Sequence, residues 1–188
     1  SEMNPAVIKP KTCACCGTAF TPQRPLARAC SVPCAMTIGR EKVLAKAAKV
    51  EKAQDKVKRE KLKTKADWHA EAQKAINAYV RARDAGEPCI SCGRMHEGQW
   101  HAGHYRSRGS AKHLALDVRN IHRQCAPCND HLHGNAINYR IGLIGRYGVE
   151  FVEAIECDNA PRLHTTDDLK AIRKNYADMT KQLKKEQE

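Results

Sequence analysis

The sequence predicts a mainly α-helical protein with a small β-hairpin, stapled by metal rather than by one large apolar core. Three observations carry that expectation. The cysteines fall into two sets of four, Cys13, Cys16, Cys30 and Cys34, then Cys89, Cys92, Cys125 and Cys128. A CxxC loop holds two thiolates at the spacing one tetrahedral zinc needs, and a second pair closes the site. The stretches beside these sets are rich in Ala, Lys and Glu, with apolar residues at helical spacing. Finally, two Phe and two Trp among 188 residues are too few for a single large core, so bound metal has to supply part of the stability.

Each element follows from its residues. Ser1 and Glu2 ahead of Met3 read as a cloning remnant. Residues 9–34 form an N-terminal zinc ribbon or knuckle, with Thr18, Pro22 and Pro25 in the loop between the cysteine pairs. Cys15 is the spare thiol and is able to replace a neighbour as ligand. Such a module either touches DNA or only staples the end of the chain. Residues 35–66 form a long basic helix or linker. Over 35–63 Lys and Arg outnumber Asp and Glu by 10 to 4, and Gly39 is the one helix-weakening residue. Met36, Val43, Val50 and Val57 recur every seven residues, a thin seam for a partner helix; without a partner the segment is a solvated connector.

Residues 67–157 form the central domain. Thr64 with Asp67 reads as a capping box that restarts the helix. Trp68, Ala72, Ala75, Ile76, Tyr79, Val80 and Ala82 make an amphipathic helix to Asp84, with Trp68 in the core. Gly86 and Pro88 end it and lead into the first CxxC. Residues 99–105 and about 114–118 are the strand candidates, joined by a basic loop carrying Arg106, Arg108 and Lys112 around Gly109. A short helix runs from Cys128 to about His133 and breaks at Gly134-Asn135. Helices at 136–147 and 149–156 follow, divided by Gly148, with Ile137, Ile141, Leu143, Ile144, Val149, Phe151 and Val152 expected in the core. Cys157 reads as a free thiol. Residues 158–188 carry a last helix from Asp167 to about Lys184, with Thr166 as N-cap.

The formal charge of +12 points to a polyanionic partner. Eight thiolates around two divalent zinc ions would subtract four, leaving +8, so the chain stays basic. Ten cysteines are compatible with disulfides, but the CxxC spacings and the lack of a leader with an apolar h-region favour zinc in a reducing cytoplasm. No run reaches transmembrane length, which argues against a membrane protein.

The densest stretch, Cys89 to Gly134, carries the chemistry. His101-Ala-Gly-His104-Tyr-Arg106-Ser-Arg108 is followed by Asn120-Ile121 before Cys125, and by Asn129-Asp-His-Leu-His133 after Cys128. These residues resemble the HNH (ββα-metal) nuclease motif in its zinc-braced form. The wider pattern resembles the NinG (Rap) recombination proteins of lambdoid phages over nearly the whole chain. That resemblance implies a zinc-braced HNH core. It also implies a metal-dependent DNA endonuclease acting on D-loops and Holliday junctions in the cytoplasm of a bacterial host.

In this setting His104 is the expected general base, since a neutral imidazole accepts a water proton near pH 7. Asn120 matches the motif's structural Asn, which pins the loop carrying the base. Asn129 and His133 stand four residues apart, so one helix face would bring both to a catalytic Mg²⁺ or Mn²⁺. The residue ahead of the base commonly binds the metal in this motif; here it is Gly103, so His101 or water fills the position. Arg106, Arg108 and Lys112 are the expected phosphate contacts. His122 and His131 read as bystanders, and His96 and His113 carry no assigned role.

The expected partner is branched DNA, and the expected active form is a homodimer. The alternatives are a non-catalytic zinc DNA-binding protein that keeps the scaffold, and an HNH nuclease of restriction or homing type on linear duplex.

Overall fold

The structure is a computed structural model and describes residues 9–187. Ser1 and Glu2 lie outside the described residues. The chain divides into two compact units, one up to Leu62 and the other from Lys63. Among the described residues no helix is long and apolar enough to cross a membrane.

The first unit is a cysteine hairpin that feeds a helix. Strand β1 (Lys11–Thr12) pairs antiparallel with β2 (Ala19–Phe20). Cys13 and Cys16 occupy the tight turn between them, closed by Gly17 N–H donating to Cys13 O at 3.0 Å. Gly17 sits at φ 74°, a left-handed conformation that favours glycine. Helix α1 (Val32–Leu62) starts earlier than the 35 expected. Ser31 Oγ accepts from Cys34 N–H at 3.4 Å, and Pro33 sits in the first turn, where its missing N–H costs nothing. Cys34 is thereby carried on the helix itself. None of the residues of α1 is buried, and its seam is open: Met36, Val43, Val50 and Val57 are all more than half exposed or at half.

The second unit is built on two helices that run parallel. Helix α2 (Lys65–Arg83) opens on the expected capping box: Thr64 Oγ1 accepts from Asp67 N–H, and Asp67 Oδ2 accepts from Thr64 N–H at 2.8 Å. Its apolar face buries Trp68, Ala72, Ile76 and Val80. Helix α5 (Thr166–Glu186) lies along it, with Leu169 against Trp68 and Ala72, and Tyr176 against Tyr79 at 5.1 Å between ring centroids. The N-cap of α5 is Thr165, not Thr166. Thr165 and Asp168 form a second capping box with the same geometry as the first. Fully burying one large apolar side chain is worth about 1.5–3 kcal/mol, so this face is a main source of the unit's stability.

Strands β3 (Trp100–His104) and β4 (Ile121–Cys125) pair antiparallel, with Trp100 opposite Cys125 and His104 opposite Ile121. The second strand is therefore not at 114–118. That stretch forms two tight turns, Lys112–Leu114 and Val118–Asn120, the latter capped by Asp117 Oδ1 accepting from Arg119 N–H at 2.9 Å. Leu114 and Ala115 are buried in a turn rather than on a sheet. After Cys128 the chain makes a wide turn over Pro127–His131, in which Leu132 N–H reaches back to Pro127 O at 3.0 Å. His133, Gly134 and Asn135 then stand consecutively in the left-handed region, at φ 49°, 89° and 46°.

Helices α3 (Ala136–Tyr147) and α4 (Val149–Glu156) have the expected bounds. The buried face of α3 differs from the expectation. Tyr139 and Leu143 are fully buried, while Ile137 and Ile141 are 80 % and 62 % exposed. Val149 is also exposed. Close backbone approach decides the face: a Cβ on Gly142 would meet Ile90 O at 1.8 Å, so only glycine lets α3 lie against the first CxxC loop.

Candidate active site and metal centres

Both cysteine sets close into clusters. Cys13, Cys16, Cys30 and Cys34 have their sulfurs within 4.8 Å of one another, and so do Cys89, Cys92, Cys125 and Cys128. A ZnS₄ tetrahedron with Zn–S near 2.3 Å has edges of about 3.8 Å. The Cys16–Cys30, Cys30–Cys34 and Cys92–Cys125 separations are 3.5, 3.8 and 3.9 Å. Outer donors are in place as well. Cys30 N–H reaches Cys13 Sγ and Cys125 N–H reaches Cys89 Sγ, each at 3.4 Å, and Asn135 Nδ2 reaches Cys128 Sγ at 3.6 Å. Such contacts to thiolate sulfur orient and steady metal ligands. Each cluster could hold one zinc. Cys15 is exposed and stands outside the first cluster, and Cys157 is an exposed free thiol.

The second cluster ties the first CxxC loop to the end of β4 and so fixes the hairpin that carries His104. A cleft of about 370 Å³ opens beside it, lined by His101, His104, Asn129 and His133, with Arg108, Asn77 and Arg81. Asn77 and Arg81 belong to no motif in the sequence. They stand four residues apart on α2, and the only hint was that both are polar positions next to its buried face.

His104 Nε2–H donates to Ala115 O at 3.0 Å. That bond fixes the neutral tautomer and leaves Nδ1 with its lone pair free. Burial, reinforced by the Arg108 charge, holds the imidazole below its ordinary pKa of 6.5, against the opposing effect of the Ala115 carbonyl. The ring is therefore neutral and able to accept a proton at pH 7. Asn120 is fully buried. Its Oδ1 accepts from Arg106 N–H at 2.8 Å, and its Nδ2 donates to Arg106 O at 2.9 Å and Leu114 O at 3.3 Å. It thus joins both ends of the loop that follows His104. Two further residues hold β3. Tyr139 O–H donates to Gly103 O at 2.9 Å, and it accepts from His122 Nδ1–H at 3.2 Å.

Asn129 and His133 reach the cleft differently from the expectation. The wide turn breaks the four-residue helical relation, and it is the left-handed run from His133 to Asn135 that turns His133 to the same cleft. His101 Nε2 is buried without a hydrogen-bond partner, although Asp130 Oδ2 lies 3.4 Å away, close enough for an ion pair but not aligned for a hydrogen bond. An orphaned imidazole nitrogen beside a carboxylate, with Asn129 and His133 on the same cleft, suits a divalent cation.

Arg106 Nη1 donates to Glu156 O, Asp158 O and Ile155 O at 3.1–3.4 Å, which fastens its guanidinium to the end of α4, and the residue lines a neighbouring cleft shared with His104 and His133. Lys112 lines a different cleft, together with Lys65 and His164. Of the three expected phosphate contacts, Arg108 lines the cleft that holds His101, His104, Asn129 and His133, and Arg106 lines the neighbouring one with His104 and His133.

Gly103 faces the protein, not the metal position. A Cβ there would meet Gln124 Oε1 at 2.1 Å. Gln124 is fully buried, and its Nε2 donates to Ser91 Oγ and Gly134 O, each at 2.7 Å. Gly103→Asp is therefore expected to destabilise the second unit by about 2–4 kcal/mol, from overpacking and an unpaired buried carboxylate, and not to tighten divalent-metal binding. Thermal unfolding with and without Mn²⁺ checks this; an unchanged melting point would be the contrary result.

The comparisons with known proteins agree on one family. A family model described as the bacteriophage lambda NinG protein matches residues 5–186. Protein ninG of Salmonella phage P22 is 41 % identical over 169 residues, covering 82 % of this chain and 83 % of that protein. Protein ninG of Escherichia phage lambda is 40 % identical over the same length, with the same coverage of each chain. Protein ninG of Escherichia phage 933W is 43 % identical over 129 residues, covering 69 % of this chain and 64 % of that one. No solved structure matches. With nearly every described residue inside the matched span, both cysteine clusters and the His104 hairpin among them, the chain belongs to the NinG family of lambdoid-phage proteins.

Proposed function

We propose that the protein is a metal-dependent DNA endonuclease of the HNH type that cleaves branched recombination intermediates. One observation carries this reading: the bond from His104 Nε2–H to Ala115 O, which leaves Nδ1 as a free acceptor on a cleft that also holds His101, Asn129 and His133. In this reading His104 Nδ1 takes the proton of the attacking water. Asn120 keeps the following loop closed, so that the imidazole holds its direction. Arg108 contacts the phosphate being cut or its neighbour. His101, Asn129 and His133, with Asp130 at hand, would hold a divalent cation, which when bound polarises the scissile phosphate. The net charge of +12 supports a polyanionic substrate.

The test is a nicking assay on labelled four-way junctions and linear duplexes of equal length. Cleavage that requires Mg²⁺ or Mn²⁺, and is competed more strongly by junction than by duplex, is the expected result. Binding without cleavage under every divalent metal would leave only the DNA-binding role, and equal competition would point to a nuclease of linear duplex.

The same proposal includes a two-fold dimer through α1. One centre cuts one strand, and a four-way junction needs two opposed cuts, which a two-fold pair supplies. The exposed seam of Met36, Val43, Val50 and Val57 gives the contact, and its 31 residues span about 46 Å at 1.5 Å per residue. Val50→Lys is expected to lower dimer affinity at least about tenfold and to uncouple the paired cuts, since it places a charge in the apolar seam. Light scattering that finds a monomer both free and on junction DNA, alongside full junction cleavage, is the outcome that sinks the dimer.

A further inference from the structure

A second cleft, of about 660 Å³, lies between the starts of α2 and α5 and the turn after the His104 loop. Lys65, His69, Lys112 and His164 line it, along with His113 and Arg162. Two of these are committed to the fold. His113 Nε2–H donates to Asp158 O at 2.7 Å, and Arg162 pairs with Asp158. Lys65, His69, Lys112 and His164 make no side-chain hydrogen bond or ion pair among the described residues. The Asp168 carboxylate, which feels the charges of Lys65 and His164, is occupied in its helix cap, accepting from Thr165 N–H and Oγ1–H at 2.8 Å. The cleft thus gathers four cationic or ionisable groups and no free acid. Burial, reinforced by the neighbouring charges of His164, Arg108 and Lys65, holds the His69 imidazole below its ordinary pKa. Arg108 is shared: it lines the His104 cleft and its charge reaches His69.

We propose that this second cleft binds the phosphate backbone of the DNA arm flanking the cut, with Arg108 bridging the two clefts and Lys65, Lys112 and His164 as the new contacts. The position beside a cut rests on the nuclease reading, whereas binding by Lys65, Lys112 and His164 does not. An unmatched cationic groove beside a phosphodiester site is what a strand needs in order to be held on both sides of the reacting phosphate. Such contacts position the substrate and carry no base preference.

The experiment measures duplex DNA affinity by fluorescence anisotropy against salt concentration, without divalent metal and in the His104→Ala background, so no cutting intervenes. Lys65→Gln with Lys112→Gln is expected to lower affinity about 20-fold near 0.15 M salt and to reduce the salt slope by about 2, one for each lost phosphate contact. Lys74→Gln with Lys174→Gln removes the same charge from the outer groove between α2 and α5 and is expected to leave the slope unchanged. Both pairs are judged at equal zinc content and equal helical signal. An unchanged slope in the first pair, an equal fall in both pairs, no DNA binding by the parent, or tighter binding of RNA of the same length would each overturn the proposal. Cleavage by the wild type decides the nuclease reading separately: loss of slope with no cleavage keeps the cleft and removes the nuclease, whereas cleavage with an unchanged slope does the reverse.

Discussion

His104→Ala is expected to lower the cleavage rate by about 10²–10⁴-fold while leaving DNA affinity within a few-fold, the usual range for removing a general base. The asymmetry follows from the site. His104 donates through Nε2 to Ala115 and presents Nδ1 to the cleft, so it acts on water, whereas the cationic side chains that would meet phosphate belong to Arg108 and its neighbours. The pH profile is a second readout. A base acts when unprotonated, and burial with the Arg108 charge holds this imidazole below 6.5. Activity should therefore remain full as pH falls through 6.5 and decline only at lower pH, through the folded pKa. Arg108→Gln removes one cause of the lowering and should move that limb upward. Cleavage by His104→Ala near the wild-type rate, or an acid limb above pH 6.5, would remove His104 as the base.

The second large effect concerns zinc. The purified protein is expected to carry two tightly held zinc ions, and Cys125→Ser to lose one of them and unfold the second unit. Structural zinc contributes about 10–16 kcal/mol of apparent binding free energy, comparable to or above the whole stability of a domain, about 5–15 kcal/mol. Cys125 is 1 % exposed at the end of β4, and its cluster joins that strand to the loop before β3. Without the metal, four thiols crowd a site with few apolar neighbours. Cys16→Ser should cost the other zinc and leave the thermal transition of the second unit in place, because Cys16 belongs to the first unit. Metal analysis returning one zinc or fewer per chain defeats the pair of expectations.

The elements that could be read directly were those whose signals are local. Thr64 with Asp67 announced the start of α2, and Gly148 the break between α3 and α4, since caps and glycines act within a few residues. The cysteine spacings likewise located both clusters. What was not legible depends on distant partners. Strand β4 reads Ile-His-Arg-Gln-Cys, too polar for a buried strand until His122 is seen to meet Tyr139, and Gln124 to meet Ser91 and Gly134. Leu114 and Leu116 looked like strand because burial in a turn leaves the same apolar mark as burial in a sheet. The buried face of α3 is not legible in its sequence because Ile137 and Ile141 outweigh Tyr139 in apolarity, whereas the backbone of Ile90 sets the orientation through Gly142. The site was half legible. The residue types around His104 are in the motif, but spacing alone does not reveal that Arg106 is held by the carbonyls at the end of α4 or that Lys112 lines another cleft.

The parallel pairing of α2 with α5 has a consequence for the order of synthesis. The surface of Trp68, Ala72, Ile76 and Val80 is made early, but the helix that covers part of it begins at Thr166, about a hundred residues later. At roughly 5–20 residues per second, a ribosome leaves that face without its partner for on the order of 5–20 s. The unit carrying His104 therefore cannot close until α5 has been made. The first unit, whose four clustered cysteines all lie before residue 35, has its complete ligand set long before that. During this interval the nascent chain would present one complete cysteine cluster and one open apolar helix, the state in which a chaperone would be most needed.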